Sequence, residues 1–242
     1  MYSIYLKELR SFFNSMIGYL VIIIFLSVSG LFAWVFPGNI LDLEQASMYS
    51  FFSMAPYVLL LLIPAVTMRV FAEEKKTGTI ELLLSKPITE WNLLLGKYLG
   101  SLTLVMIAIL PTLVYYFSIV QLSQTQSGID AAATFGAFLG LFFLVMAYTA
   151  IGVLASALSE NQIIAFLLAL IVSYAMFDSF VFLSELNEWS GFSLLLKKLG
   201  FAYHYEALRR GVIDSRNVIY FLSVTGLLLV GTNLVLVSRK WK

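Results

Sequence analysis

The sequence predicts an all-α integral membrane protein with six transmembrane helices, on three observations. Hydrophobic residues make up 60% of the 242, with a mean hydropathy of +0.91, where soluble domains are nearer ~45–50% apolar. Charged residues are 12% of the chain, about half the usual ~25%, so lipid must be the solvent for much of the surface. The apolar residues also gather into six stretches, each able to cross a ~30 Å hydrocarbon core, which takes roughly 20 helical residues. A net charge of +1 gives no footprint for nucleic acid. The absence of cysteine removes disulfides, Cys-ligated zinc and iron–sulfur clusters. The single histidine, His204, cannot make a metal site by itself, and beside tyrosines it reads as an interfacial polar tip.

The first element precedes the spans. Tyr2, Tyr5, Leu6, Leu9, Phe12 and Phe13 fall on one helical face, and Ser3, Lys7, Glu8, Arg10 and Ser11 fill the other. That pattern is an amphipathic helix lying among lipid headgroups. The spans follow near Met16–Phe36, Tyr49–Arg69, Tyr98–Val120, Ala133–Ala155, Gln162–Leu183 and Val218–Val237. The first is too long for the ~7–15-residue apolar core of a signal peptide. Pro56, Pro64 and Pro111 interrupt spans two and three, and the pairs Gly96/Gly100 and Gly136/Gly140 permit close helix contact.

Between spans two and three the chain changes character, with seven charged residues from Arg69 to Lys86. Thr77-Gly78 should break the extension of span two, and Thr79 can cap a short helix beginning at Ile80. Ile80, Leu83 and Leu84 then share a face, Lys86 before Pro87 ends the helix, and Thr89-Glu90 opens the next. Leucines on a helix clear of the bilayer need a protein groove to bury them. The segment is therefore expected to be a docking element through which a partner moves spans two and three.

Beyond span five, Phe192, Leu195, Leu196 and Leu199 form an apolar face ended by Gly200. Phe201, Tyr205, Leu208 and Val212 form a second, ended near Gly211. Two short amphipathic helices on or in the outer leaflet are expected, with Leu195, Leu196, Tyr205 and Leu208 as candidate external gate residues.

Orientation follows from Lys and Arg. Six spans put both ends on one side, which collects Lys7, Arg10, Arg239, Lys240 and Lys242, together with Arg69, Lys75, Lys76, Lys86 and Lys97. The charges of the first and third connections are Asp42, Glu44 and Asp130, so both termini are expected to be cytoplasmic. The fifth connection carries Lys197, Lys198, Arg209, Arg210 and Arg216, nearly balanced by Glu185, Glu188, Glu206 and Asp214.

Catalytic motifs are missing, and no enzyme activity or cofactor of the chain's own is expected. Leu95-Gly96-Lys97-Tyr98 lacks the earlier glycine and the following hydroxyl of a phosphate loop. HExxH and GxSxG do not occur, and Glu73-Glu74 reads as a solvated pair. Asp178 is the one acid clearly inside a predicted span, and apart from Arg69 at the very end of span two no Lys or Arg lies in any of them, which argues against an ATP-independent secondary transporter. A membrane anchor or assembly scaffold is a further alternative, disfavoured by the capped, proline-ended connector.

Pro64-Ala-Val-Thr-Met-Arg-Val-Phe-Ala-Glu-Glu-Lys-Lys-Thr-Gly-Thr-Ile-Glu-Leu-Leu-Leu-Ser-Lys-Pro87 resembles the signature of ABC-2 type transporter permeases. The resemblance continues through Lys7-Glu-Leu-Arg-Ser-Phe-Phe, Ser159-Glu-Asn-Gln-Ile-Ile-Ala165 and Tyr203-His-Tyr-Glu-Ala-Leu-Arg-Arg-Gly-Val-Ile-Asp-Ser-Arg216, covering nearly the whole chain. Within the family, the length and the closing Arg-Gly-Val-Ile-Asp-Ser-Arg run look most like gliding-motility-associated, GldF-like permeases.

The resemblance implies one permease domain over residues 1–242, with a connecting helix at 1–15, a coupling loop at 70–97 and an external re-entrant segment at 184–217. It implies pairing with a second permease, identical or GldG-like, in a bacterial inner membrane. A cytoplasmic, GldA-like ATPase would hold ATP and Mg and dock on the coupling helix, Thr79–Lys86. The interface residues carried over are Glu73, Glu74, Thr77, Gly78, Thr79, Glu81, Leu83, Leu84, Lys86 and Pro87. It implies no particular substrate.

Overall fold

A computed structural model of the chain describes residues 1–42, 47–79, 89–123, 129–185 and 190–238, nearly all of them helical, with no strand among them. The helices are α1 (Tyr2–Phe13), α2 (Met16–Trp34), α3 (Tyr49–Thr67), α4 (Ala72–Lys76), α5 (Glu90–Ile109) and α6 (Leu113–Leu122). They continue as α7 (Ala131–Leu158), α8 (Gln162–Tyr174), α9 (Phe180–Glu185), α10 (Ser190–Leu199), α11 (Phe201–Arg209) and α12 (Ser215–Ser238).

Five helical runs are long and apolar enough to cross a membrane: Tyr49–Lys76, Glu90–Leu122, Ala131–Leu158, Gln162–Glu185 and Ser215–Ser238. A sixth candidate is the pair of α1 and α2, which meets the same criterion only when the two are taken together across a bend of 68°. The bundle thus has the expected all-α membrane architecture. Its proximal end carries α1, α4 and the start of α5, and its distal end carries the start of α3 and of α7.

Two spans extend further at the proximal end than hydropathy indicates. Beyond Arg69 the helical hydrogen bonding resumes, with the Glu73 amide donating to the Arg69 carbonyl. The helix of the third span begins at Glu90, as Thr89-Glu90 predicts and well before the apolar run from Tyr98, because Thr89 Oγ1 caps α5 by accepting from the Asn92 amide. Hydropathy marks where lipid begins, whereas hydrogen bonds and caps decide where a helix begins. Pro56 and Pro64 sit inside a continuous α3, while Pro111 turns the third span through a single 3₁₀ turn, Leu110–Thr112.

The core is organised on α7, which packs against α3, α5, α8, α11 and α12. Its glycines admit that crowding: a Cβ at Gly152 would lie 2.8 Å from Thr67 Cβ, and one at Gly140 would lie 2.8 Å from Leu208 Cβ. The two predicted close-approach motifs both receive helices that do not span. Gly96 and Gly100 of α5 seat α1 at Ile4 and Glu8, and Gly136 and Gly140 of α7 seat the α11 end at Gly211 and Leu208.

Those glycine seats let α11 sink into the bundle, burying Phe201, His204, Tyr205 and Leu208. His204 is therefore not an interfacial tip. It is buried, with Nε2 2.9 Å from the Lys198 carbonyl oxygen, Nδ1 2.7 Å from Asn217 Oδ1, and its ring stacked on Tyr220 at 3.9 Å.

Candidate functional site

The proximal end is built around a lysine. Lys97 lies on the second turn of α5, flanked by Gly96, whose missing side chain lets α1 approach. Its side chain is 2% exposed. Nζ donates to Glu8 Oε1 of α1 at 2.9 Å, to Glu74 Oε1 of α4 at 2.9 Å, and to the Val70 carbonyl at 2.7 Å. An ammonium has three donors, and three different segments use them. The Phe71 ring lies 5.2 Å from the same ammonium.

Two further contacts fix α4. Ser156 of α7 accepts from the Phe71 and Ala72 amides at 3.0 and 3.1 Å and donates to the Met68 carbonyl at 2.9 Å, so it satisfies the turn between α3 and α4. Lys75 is buried and donates to the Ala157 carbonyl, which puts a cation at the negative C-terminal end of α7. Arg69 donates to Ser15 Oγ at 3.2 Å and stands 5.3 Å over the Phe12 ring, tying the same region to the α1–α2 bend. Between α1 and the α3–α4 turn lies a cleft of about 400 Å³, lined by Lys7, Glu8, Arg69, Glu73, Glu74 and Lys97 among others.

The sequence-derived interface residues divide into three groups. Glu73, Thr77, Gly78 and Thr79 are exposed just where the chain leaves α4, and Gly78 takes φ +71° at the expected break. Glu74 is not part of a solvated pair: at 13% exposure it is bound to Lys97, because a buried ammonium needs its charge balanced. Glu81, Leu83, Leu84, Lys86 and Pro87 lie outside the described residues. Lys97, Glu8 and Ser156 were missed. A lysine inside Leu-Leu-Leu-Gly-Lys-Tyr-Leu was the available signal, since so apolar a setting obliges a partner.

At the distal end, the four candidate gate residues do not act as one surface. On α10, Leu195 is exposed and Leu196 half-buried. On α11, Tyr205 and Leu208 are buried, with the Tyr205 hydroxyl donating to the Phe52 carbonyl at 2.7 Å. The pin between α11 and α3 is Arg209, which donates to Ser53 Oγ, pairs with Glu206 at 2.7 Å and lies 4.4 Å over the Tyr49 ring.

Burial pushes the Glu206 carboxyl up, but hydrogen bonds and charge from Arg209 and Arg210 outweigh it and hold the group below its ordinary value of 4.5. A lowered folded-state pKa contributes stability above about pH 4.5 and loses it as pH falls through the folded value. The thermal stability of wild type should therefore exceed that of Glu206→Gln at neutral pH, and the two should converge on acidification. Parallel curves would contradict the pin.

Among the described residues no cluster of His, Cys, Asp and Glu could hold a metal ion. A comparison with curated proteins finds no match. The family model for ABC-2 family transporter proteins matches residues 2–238. With the match running through α1, every candidate span and the Lys97-centred junction, the chain belongs to the ABC-2 transporter family and is a multi-pass membrane permease component of an ABC transporter.

Proposed function

We propose that the chain is a single permease domain forming half of an ATP-driven transporter, pairing with a second permease, identical or GldG-like. A cytoplasmic ATPase, GldA-like on the sequence resemblance, holds the ATP and Mg and docks on the segment following α4. The assembly moves its substrate across a bacterial inner membrane, in a gliding-motility-related complex if the closing Arg-Gly-Val-Ile-Asp-Ser-Arg run is a guide.

One observation carries this reading: α4 is bonded to α1 and α5 through Lys97 and to α7 through Lys75 and Ser156. A push delivered at residues 77–89 would reach three other helices with little slack. An inert anchor has no use for such a linkage.

The test is purification from the native membrane, where an ABC ATPase and a second permease should accompany the chain. Topology gives a cheaper check. Single cysteines have no native background, so an impermeant thiol reagent should label Gln126→Cys in intact cells and spare Thr79→Cys. External labelling at residue 79 would invert the scheme.

A further inference from the structure

A groove of about 440 Å³ runs between α2, α3 and α8, with walls from Val21, Ile24, Phe32, Leu61, Ala65 and Phe166. Those side chains offer nothing polar, so only a hydrocarbon body suits them. Tyr57 of α3 lines the same groove in its distal half and breaks the pattern. Its hydroxyl donates to Asp178 Oδ1 at 3.4 Å, the one hydrogen bond to that side chain among the described residues.

Asp178 occupies an unusual backbone. The helix that begins as α8 widens at Ala175–Ser179 into a single π turn before resuming as α9. Such turns cost regular hydrogen bonding and are found frequently at functional sites. A carboxylate within a span is expensive unless a cation answers it. Every ion pair among the described residues lies elsewhere, and none involves Asp178. The Tyr57 ring reaches the acid through its hydroxyl. Tyr57 stands edge-on to Phe177 at 5.5 Å, and Tyr174, one turn earlier, is 51% exposed. A carboxylate bonded to a tyrosine can hold an ammonium group against its charge and the ring.

We propose that the groove, together with Asp178, which lies beyond its lining and is reached through the Tyr57 hydroxyl, binds an amphipathic cation: an apolar body with one positively charged head. The charge missing from the protein is supplied by the ligand. The idea rests on the reading of the chain as a transporter permease and names the class of molecule that the permease handles. It is tested by binding without ATP hydrolysis, so that its failure and the failure of the transporter reading are separate results.

The full chain in phosphatidylcholine nanodiscs would be titrated with trimethylammonium-diphenylhexatriene, its uncharged parent and its propionate. Saturable binding of the ammonium probe is expected, displaced by dodecyltrimethylammonium. Asp178→Asn should weaken it about tenfold or more, Tyr57→Phe less, and Asp178→Glu, which keeps the charge, should retain it. The uncharged parent should be insensitive to all three substitutions. Unchanged affinity in Asp178→Asn, or equal binding of the propionate, would overturn the proposal. So would saturable binding of the uncharged parent alone, which marks a lipid-tail site, or loss of all probe binding once a second permease is bound, which marks a permease–permease face.

Discussion

Lys97→Met is expected to be the most damaging single substitution at the proximal end. It leaves Glu8 and Glu74 facing one another without their cation, and breaking a buried pair by removing one partner costs roughly 3–5 kcal/mol. Purified Lys97→Met should unfold at a clearly lower temperature than wild type. The triple change Lys97→Met, Glu8→Gln, Glu74→Gln removes the stranded charges and should recover much of that loss, since replacing a whole buried ionic group is often neutral. Its transport-coupled ATP hydrolysis should stay impaired, because α1, α4 and α5 are then no longer bonded to a common atom. Full recovery of both properties would reduce the lysine to an ordinary stabilising contact.

Leu83→Asp should be the most damaging substitution to ATPase capture. Burying a leucine in a partner's groove contributes roughly 1.5–3 kcal/mol, and an exposed ion pair about 0–1 kcal/mol. Capture by Leu83→Asp should therefore fall by about tenfold or more, against little change for Lys76→Ala, whose side chain is exposed. Lys75 is the wrong control: its ammonium is buried against the end of α7, and its loss would disturb α4 itself. High salt dissociating the complex, with Lys76 dominating, would show that capture is electrostatic and that the leucine centre is misassigned.

Much of the fold was legible because it is written locally. Apolar length gave the spans, Thr89 gave the start of α5, and Thr77-Gly78 gave the exit from α4. The glycine pairs announced close approach, though not what approaches: composition cannot say that Gly96 and Gly140 receive α1 and α11 rather than other spans. The candidate site was less legible because its contacts join distant positions. Glu74 and Lys97 are 23 residues apart, and Ser53 and Arg209 are 156 apart. No periodicity relates such residues. Lys97 fell one position outside the predicted third span, so its burial went unseen, and Glu74 was read by its neighbours in sequence rather than in space. His204 failed for the same reason, its partners being Lys198 on α10 and Asn217 and Tyr220 on α12.

The seat of α1 on α5 also sets a schedule for biosynthesis. Glu8 emerges from the ribosome 89 residues before Lys97, a delay of roughly 4–18 s at ordinary elongation rates. Throughout that interval the N-terminal helix has neither its glycine seat nor its counter-charge, while the first two spans are already being handed to the bilayer. Nascent chains arrested before the third span thus carry an unseated helix at the membrane surface, with the Glu8 carboxylate still lacking the lysine that later answers it.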